Sequence, residues 1–172
     1  AFGPLRVLHQ VGAGVLGPVY RTCESDGDRL VALKAFHLDF TPEQAQTFAS
    51  ELENVVGAGT SHPALVPVLG AGLSELVPYL ALEYVVAESL DVAIPRDTPA
   101  PVEMVLPLAI QLAKALDTAH AGTLVHGALH PRDIFVTPEL AKVTGCGGVP
   151  AREYAGLRGP LRRPYTSPEQ IS

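Results

Sequence analysis

The sequence predicts an α+β domain, and three observations carry that reading. Apolar residues with two-residue alternation dominate the first third of the chain, a long apolar helix opens only after residue 100, and no internal repeat or regular strand–helix–strand alternation links them. Hydrophobic residues make up 47% of the 172 and charged residues 17%, which supplies enough apolar side chain for a packed core and argues against disorder.

The elements follow in order. Leu5, Val7 and His9–Val11 lead into a glycine cluster, and Val19–Arg21 alternates out of it. A turn at Ser25-Asp26-Gly27-Asp28 joins a further strand, Leu30 to Phe36. Thr41-Pro42-Glu43 reads as a helix start, with a hydroxyl cap, proline at the first helical position and an acid in the first turn. That helix runs through Phe48, Leu52 and Val55 and stops at Gly57 or Gly59. Leu65–Leu69 and Leu80–Val85 are short strand-like runs, and 94–101 is a proline-rich break. Val102–Ala121 reads as a second helix, apolar around most of its circumference, which predicts burial on more than one side. Two short strands, 134–136 and 141–144, precede a Gly/Pro/Arg-rich stretch without periodicity.

Charge and cysteine usage narrow the function classes. The formal charge of −6 is repelled by a phosphate backbone, so nucleic acid is not the expected partner. No apolar run is long enough to span a bilayer, so no membrane insertion is expected in this segment. Cys23 and Cys146 lie far apart without metal-ligand neighbours, as in a reducing compartment. A cytoplasmic protein, or the cytoplasmic part of a larger one, is the expectation.

Gly12-Ala13-Gly14-Val15-Leu16-Gly17 fits G-x-G-x-x-G. The dinucleotide-binding version of that motif needs a helix to open at the glycines, whereas Pro18-Val19-Tyr20 is extended. A strand–glycine loop–strand hairpin followed on the next strand by Val31-Ala32-Leu33-Lys34 matches instead the phosphate-covering loop and lysine of protein kinases. From Leu5 to Gln170 the chain resembles the bacterial serine/threonine protein kinases of eukaryotic type.

The resemblance implies a protein-kinase-like fold: a β-rich N-lobe with one regulatory helix over residues 1–86, and a partial helical C-lobe over 87–172. It implies that Gly12, Gly14 and Gly17 cover the phosphates of ATP and that Lys34 pairs with Glu51 on the following helix, Glu53 being the competing carboxylate. Tyr79–Val85 resembles the adenine hinge, with Leu82 as gatekeeper and Glu83 and Val85 as backbone partners of the base; Val19, Ala32 and Phe135 sandwich the ring.

The catalytic half departs from the family pattern. Where H-R-D-x-K-x-x-N is required, the chain reads His126-Gly127-Ala128-Leu129-His130-Pro131-Arg132-Asp133. The catalytic aspartate is Ala128, the metal-binding asparagine is Asp133, and the Mg²⁺ aspartate of the D-F-G motif is Gly145 in Gly145-Cys146-Gly147. The threonine expected before Tyr165-Thr166-Ser167-Pro168-Glu169 is Arg162. A methyl group cannot orient the substrate hydroxyl or take its proton, a role worth about 10²–10⁴ in rate. Asp133 is left as one weak metal ligand. Arg152, Arg158, Arg162 and Arg163 read as a solvated loop rather than an anion site. His62, His120 and His126 sit where the family uses structural histidines, and Cys146 reads as a small hydrophobe.

These departures give the expectation of a catalytically inactive pseudokinase, a regulatory scaffold that retains ATP binding with little metal dependence. The alternative is a weakly active or atypical serine/threonine kinase using ATP; a purely structural domain with a filled pocket is disfavoured by Lys34 and the intact glycine loop. The family pattern continues past the activation segment, so the chain reads as truncated there. The stripe Val105, Leu108, Leu112 and Leu116 is then expected to be left bare for a protein partner or self-association.

Overall fold

The computed structural model describes residues 2–14, 16–93, 99–137, 140–158 and 164–171. The chain falls into two compact units: Ala1–Gly59 with Pro67–Tyr84 and Pro150–Pro160, and Thr60–Val66 with Val85–Val149 and Leu161–Ser172.

In the first unit the alternating segments become β1 (Leu5–Gly14), β2 (Gly17–Glu24), β3 (Leu30–Ala35), β4 (Val68–Ser74) and β5 (Val77–Glu83). They form an antiparallel sheet in the order β1-β2-β3-β5-β4. One face buries Leu5, Val31, Leu33 and Ala81 against Phe2, Tyr20, Leu69 and Tyr79. Thr22, buried in β2, donates its hydroxyl to Val31 O at 2.9 Å, which removes the penalty of an unpaired polar group.

Helix α1 (Pro42–Gly57) starts where the cap residues place it. Thr41 Oγ1 accepts from the Gln44 amide at 3.2 Å, and Gln44 Oε1 accepts from the Thr41 amide at 3.0 Å. Its buried stripe, Ala45, Phe48, Ala49, Leu52 and Val55, recurs at helical spacing and packs on β4 and β5. Phe48 meets the edge of Phe36 at 4.8 Å and stacks on Phe40 at 5.8 Å, which fixes the rotation of α1 about its axis.

The hairpin after α1 is longer than the two short runs expected. Gly70 and Gly72 hide the alternation of β4, and a Cβ at Gly72 would lie 2.9 Å from Tyr79 Oη. Leu65, expected to start a strand, forms only an isolated bridge to Val143.

In the second unit β6 (Glu88–Ser89), β7 (Ile134–Val136) and β8 (Ala141–Val143) make a small antiparallel sheet, with α2 (Leu90–Ala93) after β6. A one-turn 3₁₀ segment, Pro131–Asp133, leads into β7. The core gathers Ala64, Leu65, Ile134, Ala141 and Val143 with Ala115 and Ala119 of α3 (Val102–Ala121). Two further helices, α4 (Gly148–Tyr154), most of whose residues belong to the first unit, and α5 (Pro168–Ile171), occupy the stretch that showed no periodicity; both are too short to display one.

Helix α3 has the expected bounds but not the expected burial. Leu108, Leu112, Ala115 and Ala119 face the core, while Val102, Met104, Leu106 and Ile110 are 69%, 64%, 55% and 47% exposed. The covered side is therefore one stripe, and it contains two of the leucines expected to be bare. The phase is set at β8, where Gln111 Oε1 accepts the Ala141 amide at 3.1 Å. Leu112→Ala should lower stability by about 2–3 kcal/mol in urea unfolding, and Ile110→Ala by no more than about 0.5 kcal/mol. The reverse order would show the helix to be rotated from this arrangement.

Candidate functional site

In the first unit the register of three strands assembles the residues expected to hold a nucleotide. Both β2–β3 and β3–β5 are antiparallel, so Val19, Lys34 and Leu80 form one cross-strand row, and Arg21, Ala32 and Leu82 the next. Neighbouring rows two residues apart point to the same face. Val19, Ala32, Lys34 and Leu82 thus share the face opposite the one where Val31 and Leu33 are buried.

The glycine hairpin closes beside this face. Gly12 pairs with Val19, and Gly14 with Gly17. Gly17, at φ 133°, packs so closely on the next strand that a side chain would run into Ala35 O and the His37 amide. The His37 amide donates to Leu16 O at 3.1 Å, pinning the second arm of the hairpin to the chain leaving β3. Only glycine fits there.

Two expected partners are not brought together. The Glu51 carboxylate accepts from Asn54 on its own helix at 3.3 Å, and Lys34 Nζ lies 5.3 Å from the ring centroid of Phe36. With Phe48 locked between Phe36 and Phe40, Glu51 falls beside the outward side of α1, where it lines an open hollow with Glu43, Gln46, Thr47 and Ser50. Glu83, expected to bond the base through its backbone, donates its amide to Pro67 O at 3.0 Å and pairs in register with Val31. Arg21 was missed. Its guanidinium lies 5.2 Å over the Tyr84 ring, with Nε buried and unpartnered. The two-residue step from Val19 was the signal that could have found it.

The second unit holds Val85, Phe135, Ala128, Asp133 and Gly145. Phe135 is half-buried on β7, opposite Ser89 and Lys142. Around Ala128 the loop is organised by buried His126. Its Nδ1 accepts the Ala128 amide at 3.3 Å, so Nε2 carries the proton and donates to Thr144 O at 2.9 Å. Asp133 Oδ2 accepts the His130 amide at 3.1 Å and lies 3.6 Å from His126 Nε2, while Asp133 O accepts the Thr144 amide at 2.9 Å. Arg132 Nε donates to Asp91 at 3.0 Å, and Asp91 also accepts Ser89 Oγ at 2.6 Å; these two donors hold the Asp91 carboxyl below its ordinary range, the hydroxyl bond being the larger cause.

This donor set does not fit the divalent metal of the kinase family. Gly145 offers no side-chain oxygen, and the Asp133 carboxylate is turned into its own turn, where it caps His130. No group of three His, Cys, Asp or Glu suited to a metal ion occurs among the described residues. Asp133, expected as a single weak ligand, has its Oδ2 engaged in capping His130.

Cys146 is packed against the core of the second unit, and burial pushes its thiol up from 9.0 to about 11. The folded state favours the neutral thiol, so this contribution is complete below pH 9 and is lost as pH rises through about 11. The Tm of the wild type should therefore fall more steeply over that window than that of Cys146→Ala. Parallel pH profiles for the two proteins would contradict this assignment.

Among the described residues, no helix is long and apolar enough to cross a membrane. The sequence profile of the family described as protein tyrosine and serine/threonine kinase matches residues 5–172. Serine/threonine-protein kinase AfsK of Streptomyces griseus is 32% identical over 174 residues, covering 98% of this chain and 21% of the relative. Serine/threonine-protein kinase pkn2 of Myxococcus xanthus is 33% identical over 136 residues, covering 78% of this chain and 16% of the relative. The chain thus spans about a fifth of the length of these relatives. The crystal structure of the PknI kinase domain of Mycobacterium tuberculosis superposes with a TM-score of 0.72 at 24% identity, over 86% of this chain and 59% of that one, which shows the fold. These relatives overturn the expectation that the chain is not an enzyme: proteins similar over most of its length are serine/threonine kinases. The α+β, kinase-like architecture expected from the sequence is the observed one, and the chain belongs to the protein tyrosine and serine/threonine kinase family.

Proposed function

We propose that this chain is part of an atypical, slow serine/threonine protein kinase that uses ATP. The observation that supports this reading best is the single sheet face carrying Val19, Ala32, Lys34 and Leu82, with the glycine hairpin beside it. A flat apolar base fits against Val19, Ala32 and Leu82. The phosphates fit where Lys34 supplies a cation and the hairpin supplies backbone amides.

In the reaction, a substrate hydroxyl oxygen bonds to the γ-phosphorus, the bond to the β,γ-bridging oxygen breaks, ADP leaves and the hydroxyl proton is released. Ala128 cannot orient that hydroxyl or accept its proton. Turnover is therefore expected about 10²–10⁴ below that of a kinase with the aspartate in place. Lys34 acts by holding the triphosphate, since its charge sits on a strand fixed on both sides by neighbouring strands.

The test is transfer of labelled γ-phosphate from ATP to serine- and threonine-containing peptides by the wild type and Lys34→Met. Transfer at least about tenfold above the Lys34→Met level is expected, together with an ATP-induced rise in Tm that Lys34→Met lacks. At a hundredfold excess over Kd that rise corresponds to about 2.7 kcal/mol. Equal transfer by the two proteins, at background, would overturn the reading.

A further inference from the structure

We infer that Arg21 is a specificity-determining residue of the nucleotide face, its guanidinium donating to a ring-nitrogen acceptor on the edge of the base that rests on Ala32 and Leu82. This rests on the reading of the chain as an ATP user and deepens it.

The register places Arg21 where it meets the edge of a base rather than its ring face. Arg21 stands directly opposite Ala32, and Ala32 opposite Leu82, so the three form one row on the side of the sheet that also carries Val19 and Lys34. Side chains on a strand rise roughly perpendicular to the sheet. Ala32 rises by one methyl group and leaves a floor, while Arg21, about 5 Å away across the ladder, rises past it as a wall.

The two cations of this face diverge. Lys34 Nζ lies 5.3 Å from the ring centroid of Phe36, and the Arg21 guanidinium 5.2 Å over the Tyr84 ring. Phe36 follows Ala35, which pairs with Tyr79, and Tyr84 follows Glu83, which pairs with Val31, so the two rings mark opposite ends of the β3–β5 ladder. Ala32 and Leu82 are left between a cation for the phosphates and a second one at the far edge of the base.

That second cation has donors to give. Attraction to a ring fixes a guanidinium without committing its in-plane N–H groups, as pairing with a carboxylate would. Among the described residues no hydrogen bond or ion pair engages the Arg21 guanidinium, and Nε is buried without a partner. Arg21 as a whole is half-buried, so its terminal nitrogens are the ones a ligand reaches. A guanidinium donates only. On adenine the ring nitrogens N1, N3 and N7 accept and the exocyclic amine donates, so Arg21 selects an edge that carries a ring nitrogen.

Calorimetric titration of ATP and of its 1-deaza, 3-deaza and 7-deaza analogues, each with one ring nitrogen replaced by CH, tests this on the wild type, Arg21→Met and Arg21→Lys. Arg21→Met keeps the length of the stem and loses every donor, while Arg21→Lys keeps a charge and a donor. Each titration is run below the Tm of the unliganded variant, so a loss of stability does not stand in for a loss of affinity. The Kd for ATP should rise about tenfold in Arg21→Met, the equivalent of one hydrogen bond to a charged group, and less in Arg21→Lys. At least one analogue should bind the wild type about tenfold more weakly than ATP, yet bind Arg21→Met as tightly as ATP does. Unchanged ATP binding in Arg21→Met, or analogue losses of equal size in the wild type and Arg21→Met, would overturn the role of Arg21 and leave the ATP reading in place. Absence of ATP binding by the wild type would overturn both.

Discussion

Strand β3 has no freedom to rotate, and much of the first unit depends on that. It is paired antiparallel to β2 on one side and β5 on the other, so its pleat is fixed by two ladders at once. Val31, Leu33 and Ala35 must then enter the core, and Ala32 and Lys34 must point to the opposite face. A one-residue slip would bury the lysine and expose three core residues. The apolar set, about 25 cal/mol per Å² of buried area, therefore holds the functional set in place without touching it. Thr22 reinforces the register from β2 by spending its hydroxyl on the Val31 carbonyl.

The second unit is organised by polar backbone groups rather than by a ladder. His126 is the centre: one ring nitrogen accepts an amide from its own loop, and the other donates to Thr144. Such bonds contribute about 1 kcal/mol each, but leaving a buried partner unpaired costs more, so the loops are fixed more firmly than the bond count suggests. The Arg132–Asp91 pair is different in kind. Arg132 is well exposed, and its pair with Asp91 adds little beyond orientation. Burial and glycine content, rather than surface charge, set the shape of this half.

Much of the fold was legible in the sequence. The start of α1 was readable because Thr41, Pro42 and Glu43 each carry local helix-start chemistry, and α3 because its apolar run is long. Strand β4 was obscured by two glycines, of which Gly72 lies against Tyr79, a tertiary contact. The sheet face of the site was legible from strand alternation. The Lys34–Glu51 pairing was not decided by sequence, since the rotation of α1 is set by the aromatic contacts of Phe48. The composition of α3 says that it is apolar, but not which stripe is covered; Gln111 and the core of the second unit decide that. Catalytic inactivity, inferred from Ala128 and Gly145, did not survive comparison with the relatives. Substituted side chains say which atoms are missing; they do not measure the rate that remains.

The central proposal is that a nucleotide occupies the Lys34 face of β3. Hydrogen exchange read by mass spectrometry, with ATP in EDTA and with ATP plus Mg²⁺, tests it most directly. The account predicts slowed exchange in residues 16–20 and 31–37 under both conditions, and none specific to Mg²⁺ in 144–148. Protection confined to the Mg²⁺ sample and centred on 144–148 would contradict it.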